Sequence, residues 1–257
     1  MKEIIAVINQ KGGVGKTTTA ENIGAGLILK GYKVFFIDLD AQGNLSYSLG
    51  ASTSGLSGCS VMDVLTGRII LKDAIQQTEQ ASVVASSSAL IGADTVLTAI
   101  GKEYRLKEAL APLQEIFDYV VIDTPPALGI LTVNALVACT GCIVPAQADI
   151  FSLQGINQLY DTIETVKKYC NPVLHVMGIL ITRFTPRAII SREVAERIED
   201  TAKQFNTKVY TAKIRECIAL KEAQAMKKNI FAYAPKSNAA ADYRVLIDEI
   251  LKAKKKG

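Results

Sequence analysis

The sequence predicts an α/β fold, a mostly parallel twisted sheet with helices on both faces. Three observations predict it. Short apolar runs recur along the 257 residues, separated by stretches in which apolar residues fall at helical spacing. A glycine-rich turn joins the first run to the first helical stretch, and two of the runs end in aspartate. Strands alternating with helices pair in parallel, and a parallel sheet is covered on both sides.

The elements follow in order. Strands are expected over residues 4–8, 34–37, 83–85, 119–122, 143–145 and 176–181, with a further one just before Arg215. Helices are expected over 17–29, 104–113, 131–138, 153–169, 191–205 and 242–252. At 49% hydrophobic residues the chain has ample material for a core, and no window is long and apolar enough to span a membrane. No repeat, linker or low-complexity segment divides it, so residues 1–257 read as one domain. The first strand begins at once with no export signal, and five cysteines, an odd number, suit reduced thiols in the cytoplasm.

The most informative segment is Lys11-Gly12-Gly13-Val14-Gly15-Lys16-Thr17-Thr18, set between a strand and a helix. Glycines let backbone N–H groups converge on phosphate oxygens, and the helix N-terminus adds its positive dipole. Lys16 can then reach the terminal phosphates while the Thr17 hydroxyl ligates Mg²⁺. The usual phosphate-loop pattern wants Gly at position 10; this chain has Gln10 and adds a second cation, Lys11. A nucleotide site of the P-loop NTPase type follows.

Asp123 closes the apolar run Tyr119-Val120-Val121-Ile122, the arrangement of a carboxylate that holds Mg²⁺ directly or through water. Asp38 and Asp40 end another strand, where one carboxylate can organise the metal shell and the other orient the attacking water. The plainer alternative for Asp38 and Asp40 is a helix N-cap or turn acid.

The motifs resemble the deviant Walker A ATPases of the ParA/Soj family, whose fold MinD and nitrogenase iron protein share. The resemblance runs through Asp38-Leu39-Asp40-Ala41-Gln42-Gly43-Asn44 and Asp123-Thr124-Pro125-Pro126-Ala127-Leu128-Gly129. It continues to Leu220-Lys221-Glu222-Ala223 and Ala234-Pro235-Lys236-Ser237. It implies an ATP- and Mg²⁺-dependent homodimer in which Lys11 reaches the partner subunit's ATP and Asp40 is the acid tied to hydrolysis. The turn after Asp123 becomes a γ-phosphate switch. Ala41 stands where the family has proline, which implies a more mobile switch loop. Hydrolysis is expected to be slow until a ParB-like centromere-binding protein stimulates it.

Charge supports a polyanionic partner. Residues 1–149 carry 10 Lys+Arg and 14 Asp+Glu, net −4, whereas 150–257 carry 19 and 11, net +8. The resemblance assigns Arg187 to sequence-independent binding of double-stranded DNA, with Arg183 and Arg192 near it. The basic residue expected before the Leu-x-Glu-Ala segment is Ala219 here, leaving Lys221, Lys227 and Lys228 as candidate substitutes. Arg215 is expected to border the adenine pocket. A cytoplasmic, nucleoid-associated protein is implied, and with the phosphate loop starting at residue 11, operator-specific autoregulation is not expected.

Two rivals remain open at this level. A MinD-like membrane ATPase would use the stripe Tyr243, Leu246, Ile247, Ile250 and Leu251 with the lysine cluster after it as an anchor; the same stripe suits core packing. An iron–sulfur carrier would use the C-x-x-C pair Cys139 and Cys142, although cysteine is also a common buried hydrophobe. A nucleotide sensor without turnover is a further alternative. The lone histidine, His175, has no Cys or His neighbour in sequence and reads as structural.

Overall fold

A computed structural model describes residues 1, 3–53, 59–113, 115–149 and 151–253. The lysine cluster at 254–256 lies outside the described residues. The sheet strands are β1 (Glu3–Val7), β2 (Val34–Asp38), β3 (Ile75–Gln77), β4 (Ser82–Val84), β5 (Tyr119–Asp123), β6 (Gly141–Gln147), β7 (His175–Phe184) and β8 (Val209–Arg215). Their spatial order is β3-β4-β2-β5-β1-β6-β7-β8. Every pairing is parallel except β3 with β4 at one edge.

The longer helices are α1 (Lys16–Leu29), α6 (Ile130–Ala138), α7 (Phe151–Tyr169), α8 (Ile189–Gln204), α9 (Ile218–Ala225) and α11 (Asn238–Ala253). Shorter ones are α2 (Asn44–Ser48), α3 (Val61–Leu65), α4 (Ala93–Val96), α5 (Arg105–Leu110) and α10 (Ile230–Tyr233). The α5 segment is shorter than its periodicity suggests, because 3₁₀ turns at Lys102–Tyr104 and Ala111–Leu113 take up its ends. Five residues or fewer make too little of a helical period to show in sequence, which is why α2, α3, α4 and α10 were not anticipated. Strand β3 hides for a related reason: Ile-Gln-Gln is a polar three-residue edge.

The alternation of a pleated strand divides the core in two. Ile5, Val7, Val34 and Phe36 pack with α1, α10 and α11, whereas Ala6, Ile8, Phe35 and Ile37 face the side carrying α6, α7 and α8. Helices therefore cover both faces, as the buried parallel sheet requires. Close approach of α1 depends on Gly24: a Cβ there would overlap the Phe36 ring.

Two expectations are decided by burial. Tyr243, Leu246, Ile247 and Ile250 are each no more than 1% exposed, so the α11 stripe is core and not a surface anchor. Cys139 and Cys142 are also buried, with the Cys139 thiol donating to the Leu136 carbonyl at 3.7 Å. Burial pushes the Cys139 thiol well up and that of Cys142 to about 12, the opposite of the exposed thiolate pair an iron–sulfur carrier needs. Among the described residues no helix is long and apolar enough to cross a membrane. His175 sits 3.8 Å from the Glu3 carboxylate at the entrance of β7.

Candidate active site

The parallel sheet brings the distant acids to one edge. Val7 at the end of β1 is in register with Asp123 at the end of β5, and Asp123 with Asp38 at the end of β2. The loop after β1 turns over these ends and feeds α1. Gly13 and Gly15 have φ of 77° and 84°, and Gly15 is the N-cap of α1. Those values are left-handed, which costs a side chain but not glycine. Gly12 does not need that freedom. Gln10 replaces the expected glycine because its amide does structural work: Nε2 donates to Gly155 O at 3.3 Å and Gln158 Oε1 at 2.7 Å, tying the loop to α7.

Lys16 is only 6% exposed, and its ammonium donates to the Lys11 carbonyl at 3.1 Å. Burial lowers its pKa, opposed by the charges of Asp123 and Asp40. Thr17 donates to Asp123 Oδ2 at 2.6 Å. The other oxygen, Asp123 Oδ1, is buried with no hydrogen-bond partner. Burial and the neighbouring Asp38 push the Asp123 carboxyl well up. Burial also raises Asp38, whose oxygens both accept hydrogen bonds: Oδ1 from Asp40 N at 3.1 Å, Oδ2 from Ser46 N at 2.8 Å and Ser46 Oγ at 2.7 Å. Two buried carboxyls with one orphaned oxygen fit a hard divalent cation, which relieves their repulsion and takes the free lone pair. Asp38, by contrast, has both oxygens taken up by Asp40 and Ser46.

Lys11, at the loop mouth, pairs with Asp149 at 2.5 Å. Burial disfavours the Asp149 anion, but hydrogen bonds from Lys11 and Ser152 outweigh it and hold the carboxyl below its usual range. Asp40 is half-buried and lines the cavity beside the loop.

That cavity has a volume of about 510 Å³. Gly12, Gly13, Gly15, Lys16, Thr17 and Thr18 form one wall; Pro126, Tyr47 and the segment from Ile214 to Cys217 form others. Val14 is buried beneath the loop, and its carbonyl accepts from Thr182 Oγ1 at 2.8 Å. Arg215 lines the cavity with its guanidinium clamped on Asp242 of α11 at 2.6 Å. Arg183, at φ 49°, also lines it, 4.0 Å from Glu216, and so does Lys221. The remaining basic candidates lie outside. Arg187 is exposed on the β7–α8 loop, Arg192 donates to Pro186 O at 3.1 Å, and the Lys227 ammonium sits 4.7 Å from the Tyr47 ring centre.

Several site residues have no local sequence signal. Asn9 donates to Pro145 O at 2.7 Å and accepts from Lys11 N at 2.9 Å, fixing the loop's first turn. Thr124 donates to Val7 O at 2.8 Å, and Gln224 of α9 donates to Thr18 Oγ1 at 3.1 Å. Asp149 and Thr182 belong with them. Each meets a partner more than a hundred residues away.

Fold and site define a phosphate-loop nucleotide-binding protein. The AAA domain family matches residues 2–176. The chain is 39% identical over 253 residues to the sporulation initiation inhibitor protein Soj of Bacillus subtilis, covering 97% of this chain and 98% of Soj. It is 37% identical over 252 residues to the chromosome partitioning protein ParA of Myxococcus xanthus, covering 97% and 88%. A Mycobacterium smegmatis structure named cobyrinic acid a,c-diamide synthase, solved with ADP and magnesium, superposes at TM-score 0.86 with 36% identity, covering 99% of this chain and 96% of its own. The chain belongs to the ParA/Soj family of phosphate-loop ATPases.

Proposed function

We propose that this chain is an ATP-switched DNA partition ATPase. It binds ATP with Mg²⁺, closes as a homodimer, grips double-stranded DNA without sequence preference, and lets go when a ParB-like centromere-binding protein speeds hydrolysis. The reading takes residues 1–257 as one ATPase domain working in the cytoplasm on the nucleoid. The observation that carries it is the course of β7. Thr182 holds the phosphate loop through Val14 O, Arg183 lines the nucleotide cavity, and Arg187 stands exposed on the loop that follows. Nucleotide state and the basic surface are thus linked by one strand end.

The residues divide the work. Gly12 to Thr18 cradle the phosphates, and Lys16 leaves the Lys11 carbonyl to meet the γ-phosphate. Thr17 and Asp123 would hold the magnesium, which would supply charge neutralisation to the phosphates when bound. No group of three or more His, Cys, Asp or Glu side chains set to hold a metal occurs among the described residues. The rest of a magnesium shell would then be phosphate oxygen and water. Asp40 orients the attacking water. Lys11 exchanges Asp149 for the partner subunit's ATP on closure. Arg215 and Ile214 border the base, and Arg183 and Lys221 serve the nucleotide cavity more directly than DNA. Arg187 and Arg192 contact DNA phosphates, with Lys227 at the margin.

A loose transition state needs positioned charge, and lack of a stimulating group costs roughly 10³–10⁵ in rate. A slow intrinsic ATPase is therefore a timer, and ATP must bind the closed dimer more tightly than the open chain to shift the population. The test is anisotropy of a labelled random-sequence duplex with ATP, ADP or no nucleotide across a salt series. Binding that needs ATP, weakens with salt and is lost in Arg187→Ala is expected. No DNA binding in any nucleotide state would overturn the reading.

A further inference from the structure

Ile214, Leu220 and Tyr243 give the nucleotide cavity an apolar lining, and Arg215 follows Ile214 at the end of β8. Arg215 is a cation, yet its hydrogen-bonding fork is already filled. Its Nε donates to both oxygens of Asp242, at 3.2 and 3.0 Å, and Nη2 donates to Asp242 Oδ1 at 2.6 Å and to Asn238 O at 3.4 Å. The backbone N–H of Arg215 also donates to Asp242 Oδ2 at 3.0 Å. Asp242 does not itself line the cavity, and its side chain is 12% exposed against 36% for Arg215. The fork therefore points out of the cavity with its charge balanced, which makes Arg215 a poor phosphate ligand. What a guanidinium held by this edge still offers is its flat face, and that face packs on aromatic rings, a purine among them.

Asp242 stands on a fixed platform. It lies one turn into α11, and the next residue, Tyr243, is buried with its hydroxyl 3.3 Å from Thr19 Oγ1 of α1. One helix thus holds both Arg215 and the helix that the phosphate loop feeds. The same helix carries a second acid on the same strand: Glu249 accepts from Thr211 N at 3.1 Å, Thr211 Oγ1 at 2.6 Å and Ala212 N at 2.9 Å. Strand β8 ends the sheet, and an edge strand has N–H groups that need partners. Glu249 serves only that need. Asp242 serves it too, and also reaches a side chain at the cavity.

We infer that Asp242 is a positioning residue for the nucleotide base: by filling the guanidinium fork of Arg215 it turns the flat face of that group to the base, which Arg215 then holds by stacking and not by reading its hydrogen-bonding edge. The inference rests on the proposed placing of the base at Ile214 and Arg215 and is independent of DNA. Without Asp242 the guanidinium is free to turn its fork toward the phosphates. The cation is then kept and the stack is lost, so contacts to the base weaken and contacts to the phosphates do not.

The test uses the full chain with Mg²⁺ and reads the anisotropy of etheno-ATP, a fluorescent analogue whose adenine edge is blocked, with ATP and inorganic tripolyphosphate as competitors. Arg215→Ala should weaken ATP and etheno-ATP equally, by about tenfold, and Asp242→Ala should weaken both by about fivefold. Tripolyphosphate, which has no base, should compete no less well in either variant. The double variant should be no weaker than Arg215→Ala, because the two residues act through one contact. Glu249→Ala also strips hydrogen bonds from the β8 edge, yet it should bind all three ligands as the unaltered chain does. In steady-state turnover the loss in Asp242→Ala should appear in KM and not in kcat, as removal of uniform binding does. If urea unfolding shows Asp242→Ala to be poorly folded, Asp242→Asn, which keeps an oxygen for Arg215 N, takes its place in each comparison. Equal losses in Asp242→Ala and Glu249→Ala, a parallel loss of tripolyphosphate, an additive double variant, or a loss confined to ATP would each overturn the inference. Arg215→Ala without effect on either nucleotide overturns the placing of the base as well, whereas a weakened Arg215→Ala beside an unchanged Asp242→Ala overturns the positioning role alone.

Discussion

Glu21→Gln tests the least comfortable group in the P-loop helix. Glu21 lies one turn into α1, is 1% exposed, and leaves Oε1 without a hydrogen-bond partner. Burial raises its carboxyl from 4.5 to about 7, and only part of that is offset by Gln224 and Ser48. A carboxyl raised on folding stabilises the native state at low pH and loses that contribution as pH climbs through its folded value. The stability it lends is therefore complete below pH 4.5, falls between 4.5 and about 7, and is gone above that. At about 1.4 kcal/mol per pH unit the loss is roughly 3 kcal/mol. For a chain of this size that corresponds to about 10 °C in melting temperature. Asp38 and Asp123 titrate in the same direction, so the difference between the unaltered chain and Glu21→Gln isolates Glu21. Urea and thermal unfolding at pH 5, 6, 7 and 8, without nucleotide, should show the unaltered chain losing about 3 kcal/mol relative to the variant across that range. Parallel stability curves would mean that Glu21 is solvated or paired in solution, and the argument from its burial would fail.

Two further substitutions test packing and the link between β7 and the loop. Gly24→Ala should cost about 1–3 kcal/mol in urea unfolding despite alanine's better helix propensity, because the new methyl group meets the buried Phe36 ring; an unchanged midpoint would show that the α1–β2 contact is looser than described. Thr182→Val leaves the buried Val14 carbonyl without its donor, so stability should fall by about 1–2 kcal/mol and affinity for a fluorescent ATP analogue severalfold, with Thr182→Ser restoring both. Unchanged nucleotide affinity in Thr182→Val would refute the role given to that strand end.

The comparison of sequence and structure turns on distance along the chain. Lys11 to Thr18 was legible because a phosphate loop is a local object: its glycines, lysine and threonine act through consecutive backbone atoms. Asp38 and Asp123 were legible because each ends its own apolar strand. The sheet's parallel order followed from strand–helix alternation, and the buried α11 stripe from its spacing, although its choice between core and membrane did not. Short elements such as α2 and β3 were invisible, since they hold less than one or two periods of any pattern.

Sequence by itself therefore determined the class of this protein, a phosphate-loop turn between strand and helix, and the position of Asp38 and Asp123 at strand ends. Tertiary structure alone decided the partners of those groups. It put Asp149 on Lys11, Thr182 under Val14 and Gln224 on Thr18, pairs separated by 138, 168 and 206 residues. It also moved Arg183 and Lys221 to the nucleotide cavity and buried Cys139 and Cys142 in the core. Side-chain hydrogen bonds and burial depend on where the chain returns in space, and a return set by whole-sheet packing leaves no mark on the residues either side of it.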